Sequence, residues 1–334
     1  MTEILKLNVD RGRETQPLKV LPLLTLGLAL LAVSCAAIFI RIAEQELGAN
    51  ATVFNRLAIA TLAFWVLNSL SQWRQRSPLD WQAPPTYHFD DIVQLIAVAA
   101  VSSASVVLWA QSLTETSIAN STLLRNLTPI FTSLGGWLLL DQRFDRRFLV
   151  GTLIAVLGAI AIGVEDFQIS QEHLLGDGLA LLSAILYGSN LLLVERLRSR
   201  FPTSTILLWR CGIGTLLLLP ITWLLETQLF PQTWQVWLAV VALALVCQVL
   251  GQGLLVYSLK QFSSGFIAVL LLLEPILTAI LAWVVFAELL NWTNWLAFVM
   301  VLSGIYLTQS SRSATQSVAV STVSEPETRD NETR

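Results

Sequence analysis

Four ionisable side chains stand inside long apolar runs of this chain: Arg56, Arg125, Arg210 and Glu274. An ionised group in hydrocarbon costs at least about 2.5–3.5 kcal/mol on insertion scales, so one that is retained faces a partner or a hydrated interior. Arg125 lies about 8 residues from one end of its run and Glu274 about 10 from the opposite end of another, roughly 12 and 15 Å into a core about 30 Å thick. At those depths they are placed to approach each other near the midplane. Two readings are open: a pair that substrate or proton binding breaks, or a permanent ion pair that locks two helices together. Arg56, about 6 residues or roughly 9 Å from its helix end, and Arg210, similarly deep from the other side, lie within snorkelling reach of the interfaces. There they would cap helix ends or loop carbonyls at the rims, or take part in gating.

Pro129 and Pro275 each remove a backbone N–H from mid-helix, and the carbonyl so freed needs a neighbour, water or a substrate. Both are candidates for kinks beside a binding site. Asn126, Thr128, Trp109, Tyr187, Asn190 and Tyr257 are the polar or amphipathic side chains that could line such a site, with plain helix packing as the competing role for each. Enzyme chemistry is not indicated: His88 and His173 fall in loops, and neither HExxH nor GxSxG occurs. No GxxxxGK[ST] loop is present to hold a nucleotide, which argues against a primary pump. Cys35, Cys211 and Cys247 lie in apolar runs without a CxxC pair and read as small packing residues, so no metal or cofactor is expected.

The elements that must position these residues follow from composition. Of 334 residues, 54% are hydrophobic and 13% charged, against roughly 25% charged in soluble domains. The chain needs a lipid bilayer as its solvent, and its net charge of -3 suggests no nucleic-acid face. With about 20 apolar residues per span, helices are expected near 20–40, 50–70, 91–111, 117–140, 148–164, 178–194, 203–225, 235–257, 264–287 and 293–309. The fourth is the weakest, because Asn120, Ser121, Thr122, Arg125, Asn126 and Thr128 interrupt its first half; on hydropathy alone nine helices would serve. Leu31–Cys35 resembles a signal or lipoprotein cleavage site, but the run continues to Arg41 and reads as a retained helix.

Charge between the runs favours ten. Lys6, Arg11, Arg13 and Lys19 precede the first helix; Arg74 and Arg76 follow the second; Arg143, Arg146 and Arg147 the fourth; Arg196, Arg198 and Arg200 the sixth; Lys260 the eighth; Arg312 the tenth. All fall on one side, while Glu44, Glu46, Glu115, Glu165, Asp166, Glu172, Asp177, Glu226 and Glu288 occupy the alternate loops with only Arg41 among them. Both termini are therefore expected in the cytoplasm. Trp73, Trp81, Trp234, Trp237, Trp292 and Trp295 sit near helix ends as membrane anchors. Gly135, Gly136, Gly151, Gly158, Gly188 and Gly304 would let helices approach closely.

The second half repeats the first. Aligning Pro129 with Pro275 places Ser112 on Ser258, Leu113 on Leu259 and Gly158 on Gly304, and a slightly different offset places Arg56 on Arg210. Five helices is an odd number, so the halves must lie upside down relative to each other, an arrangement recurrent in secondary transporters. The expected organisation is a cytoplasmic segment 1–19, a first repeat 20–164, a second repeat 178–309 and a disordered cytoplasmic tail 310–334, with a cytoplasmic loop over 72–87.

This pattern resembles the ten-helix EamA-type members of the drug/metabolite transporter superfamily over about residues 20–309. The residues that carry it are Phe54-Asn55-Arg56-Leu57-Ala58 with counterpart Arg210, Leu127-Thr128-Pro129, and Leu273-Glu274-Pro275 followed by Ala287-Glu288. Thr128 stands where the second half has Glu274, and Asp141-Gln142 where family members often show Gly-Glu. The resemblance implies a helical basket around a central cavity, alternately open to either side, exporting or exchanging amino acids, metabolites or amphipathic compounds. It leaves substrate, coupling ion (protons among the candidates) and oligomeric state open. A channel or a non-transporting assembly factor is the alternative. The plasma membrane of a bacterium is the expected location.

Overall fold

The computed structural model describes residues 20–75, 88–116, 118–163, 174–286 and 292–311. The expectations for the N-terminal segment 1–19, most of the 72–87 loop with Arg76 and Trp81, Glu165, Asp166, Glu172, His173, Ala287-Glu288, Arg312 and nearly all of the tail fall outside these residues, as do the side chains of Trp73 and Arg74.

The described residues form helices, turns and no strand. In chain order these are α1 (Val20–Ser34), α2 (Ala36–Ala43), α3 (Ala49–Gln75), α4 (Phe89–Glu115), α5 (Ile118–Arg125), α6 (Thr128–Leu140), α7 (Arg146–Gly163), α8 (Leu174–Arg198), α9 (Thr203–Leu225) and α10 (Trp234–Ala242). A π-helical stretch, Leu243–Gly251, then runs into α11 (Gln252–Ser258), followed by α12 (Ser264–Leu270), α13 (Leu273–Phe286) and α14 (Trp292–Gln309). Seven stretches are long and apolar enough to cross a membrane: Pro22–Ala43, Ala49–Leu70, Phe89–Trp109, Leu174–Arg198, Thr203–Leu225, Trp234–Ser258 and Ser264–Leu281. The pair α5–α6 is diluted by its polar break, and α7 and α14 carry Arg146, Arg147, Asn294 and Gln309 at their ends. Leucines such as Leu24, Leu62, Leu138, Leu224 and Leu296 are exposed, as expected of helices whose outer surface meets lipid.

Packing pairs elements far apart in sequence: α7 with α14, α4 with α8, α3 with α9, and α1 with the π-helical stretch and α11. The α7–α14 contact depends on missing side chains. A Cβ on Gly304 would strike the backbone N of Ala155 and lie 2.6 Å from the carbonyl of Gly151; one on Gly158 would lie 2.8 Å from the backbone N of Val301. Dense helix contacts in lipid rely on such small residues. Gly188 performs the same role for α8, where a Cβ would lie 2.8 Å from the Thr132 hydroxyl on α6.

Carboxylates on the connecting segments fasten the ends. Glu226, after α9, accepts from the backbone N–H of Asn50 (3.1 Å) and from its side-chain amide (3.0 Å) at the start of α3. Glu46, before α3, accepts from the N–H groups of Gln232 (2.8 Å) and Thr233 (3.2 Å) ahead of α10. Hydrogen bonding, from the Thr233 side chain first and the Gln232 N–H next, holds the Glu46 carboxylate below its ordinary range. Its contribution is thus present above that range and lost as pH falls through the lowered value. Trp234 and Trp292 begin α10 and α14 and are exposed, as are Trp237 and Trp295.

Replacing Gly304 with leucine is expected to force α7 and α14 apart and lower stability by about 3 kcal/mol, near the top of the range for overpacking. Gly27, whose Cβ position has nothing within 4 Å, is the control: Gly27→Ala should gain about 0.5–1 kcal/mol through helix propensity. Detergent melting curves check both.

Candidate functional site

Two helical rods are broken at matching places, α5/α6 at Asn126–Leu127 and α12/α13 at Leu271–Leu272. Pro129 and Pro275, expected to kink continuous helices, lie in the first turns of α6 and α13, where a missing N–H is tolerated. The carbonyls they cannot serve are satisfied locally. The Thr128 hydroxyl donates to the Arg125 carbonyl at 2.7 Å, and the Glu274 N–H donates to the Leu271 carbonyl at 2.9 Å. The Thr128/Glu274 asymmetry therefore has a physical consequence. Thr128 spends its side chain closing the break, whereas Glu274 closes it with backbone and keeps its carboxylate. That carboxylate sits in the first turn of α13, where the helix dipole favours an anion; Arg125 ends α5, where it favours a cation.

The two breaks bring their charges to one interior group. Arg125 lies over the faces of Trp109 (4.5 Å) and Tyr187 (5.1 Å), from α4 and α8. Among the described residues no ion pair within 4 Å joins Arg125 to Glu274, so the expectation of a direct pair gives way to contacts of Arg125 with two aromatic faces. Arg56 and Arg210, expected within reach of opposite rims, also turn inward: Arg56 Nε is buried, and Arg210 reaches neighbouring helices. Arg210 donates to the Ser102 hydroxyl at 2.7 Å and to the Gln252 side-chain carbonyl at 3.5 Å. Next to them Gln248, in the π-helical stretch, lies 3.5 Å from the sulfur of the buried Cys211. A π-helical segment beside such a group fits the frequent placement of these segments at functional sites.

Several polar atoms on the helices that carry these residues are buried with no hydrogen-bond partner: Arg56 Nε, Arg125 Nη1, Trp109 Nε1, and both the nitrogen and the oxygen of the Asn190 amide on α8, a residue that is 0% exposed. Native interiors rarely leave such atoms unpaired without reason. Asn126 sits half-buried at the break itself. Tyr257 lies elsewhere: it is exposed and faces Arg198, whose guanidinium is 6.0 Å from its ring.

Sequence reading missed a second buried knot. Glu195, 4% exposed, accepts from the Gln142 amide (3.1 and 3.2 Å) and the Ser264 N–H (3.0 Å), joining the end of α6, α8 and the start of α12. Asp141, just before it, has φ 51, the left-handed conformation that glycine adopts most readily. Spacing could have exposed Glu195, because Tyr187, Leu191, Glu195 and Arg198 recur at i, i+4, i+8 and i+11 along one face of α8. At the opposite end of α8, Asp177 accepts from Thr116 (2.7 Å) and Asn120 (3.2 Å).

A membrane-embedded helical chain with ionisable groups gathered inside is the class of protein that moves solutes. Consistent with this, the EamA-like transporter family model matches residues 21–164 and 174–310, and the chain belongs to that family. An "uncharacterized transporter" of Archaeoglobus fulgidus is 25% identical over 85% of this chain and 96% of its own length. The "Pseudopaline exporter CntI" of Pseudomonas aeruginosa is 25% identical over 74% of this chain and 81% of its own. A protein of known crystal structure shares the fold with a TM-score of 0.71 at 20% identity, over 86% of this chain and 97% of that one. The protein is a multi-pass membrane transporter.

An amide held unpaired for a ligand is a burden on the fold, so Asn190→Leu should raise unfolding stability by roughly 1–3 kcal/mol while slowing transport. Melting curves and flux measured on the same preparation check both halves.

Proposed function

We propose that this chain is a secondary carrier working by alternating access, built as ten spanning helices in two inverted five-helix repeats with both termini in the cytoplasm of a bacterial cell. The observation that carries the reading is the interior group of Arg56, Arg125, Arg210 and Glu274, drawn from both halves, with Arg125 and Glu274 standing at two broken helices. Discontinuous helices near the midplane are the usual way transporters present half-helix ends and side chains to a substrate.

Packing supports the repeat. Exchanging each helix for its counterpart maps the α3–α9 and α7–α14 contacts onto themselves, α6–α8 onto α1–α13, and α4–α8 onto the contact of α1 with the π-helical stretch and α11. The approach of Gly304 to Ala155 is repeated, 146 residues apart on each side, by Gly158 and Val301. The polar ties described above also join segments assigned to the same side of the membrane. Export is the direction favoured, in line with the name of the Pseudomonas relative. Solute gradients drive it, with protons as candidate coupling ion through Glu274.

Counterflow in proteoliposomes loaded with labelled amino acids, nucleobases or organic cations, with and without a pH gradient, tests this. Saturable exchange of one class is expected, reduced roughly tenfold or more by Arg125→Ala, as for loss of a charge-assisted contact. Flux that never saturates would point to a channel, and no flux of any probe to an assembly role.

A further inference from the structure

The interior group is unbalanced in charge. It holds three guanidiniums, which stay protonated in proteins, and one carboxylate. Among the described residues none of the four forms an ion pair within 4 Å; the polar contacts of Arg210 are to the neutral Ser102 and Gln252. The Trp109 and Tyr187 faces stabilise Arg125 but cancel none of its charge. A buried charge persists only when something compensates it.

We propose that the site takes an organic anion with at least two carboxylates, whose two negative charges match the excess of two positive ones. The donors without partners fit this: Arg125 Nη1, Arg56 Nε, Trp109 Nε1 and the Asn190 amide nitrogen are all buried, and Asn190 is 0% exposed. They come from α3, α4, α5 and α8, a spread that suits two separated carboxylates better than one compact phosphate. Guanidinium forks bind carboxylates in two-point geometry, which a lysine could not reproduce. Trp109 and Tyr187, whose ring faces lie 4.5 and 5.1 Å from the Arg125 guanidinium, restrict the directions in which that fork can point. Glu274 repels the anion and weakens its binding, which gives the site a means of release.

This inference rests on the carrier reading, and the experiment separates the two. Proteoliposomes of the full chain are assayed for counterflow with succinate, citrate, valine and lysine. Exchange of succinate or citrate, and not of valine or lysine, is expected. Arg125→Gln should reduce it roughly tenfold or more, and Glu274→Gln should increase the apparent affinity for the anion about threefold or more by removing a like charge. Exchange of valine or lysine in place of the anions overturns the substrate class and leaves a carrier. No exchange of any probe by monodisperse protein overturns both. If Arg125→Gln does not fold, the Glu274→Gln arm decides: weaker anion exchange in that variant sinks the proposal.

Discussion

Everything in this molecule is arranged around the difficulty of keeping ionised groups in an apolar interior. The family of solutions open to a protein is short: pair the charge, surround it with dipoles and aromatic faces, or share it with a ligand. Arg210 takes the second route through Ser102 and Gln252, and Arg125 takes it through Trp109 and Tyr187. Glu274 takes the dipole of a helix that begins one residue before it. That helix begins there because Pro275 cannot continue the one before it, so a single backbone constraint both ends α12 and places the carboxylate.

The peripheral architecture serves the same end. Close backbone approach at Gly151, Gly158 and Gly304 makes α7 and α14 a stiff unit, and α3 and α9, which supply Arg56 and Arg210, pack against each other directly. Glu195, bonded to Gln142 and Ser264, ties elements of the two halves together beyond the charged group.

Much of this was legible in the residues alone. The four interior charges, the two prolines and the membrane setting all follow from residue types and spacing, because a charge in an apolar run has few innocent explanations. What could not be read was direction. Arg56 and Arg210 lie within snorkelling distance of opposite surfaces, and only the fold turns both inward. Arg125 and Glu274 have depths that invite a pair, yet the aromatic faces of Trp109 and Tyr187, remote in sequence, claim the guanidinium first. Tyr257 and Tyr187 look alike in sequence, but one meets the interior and the other the outside. The bond from the Thr128 hydroxyl to the Arg125 carbonyl is not visible in sequence, and Glu195 is masked by lying next to a cluster of arginines assigned to a loop.

The central claim is that Arg125 and Glu274 are kept for the solute and not for the fold. Melting of a double variant, Arg125→Met with Glu274→Met, tests it most directly, because replacing both charges by apolar groups leaves neither stranded. The account predicts a melting temperature equal to or above that of the unmodified protein, in a preparation that no longer transports. A melting temperature well below it, with transport retained by the protein that remains folded, would contradict the account.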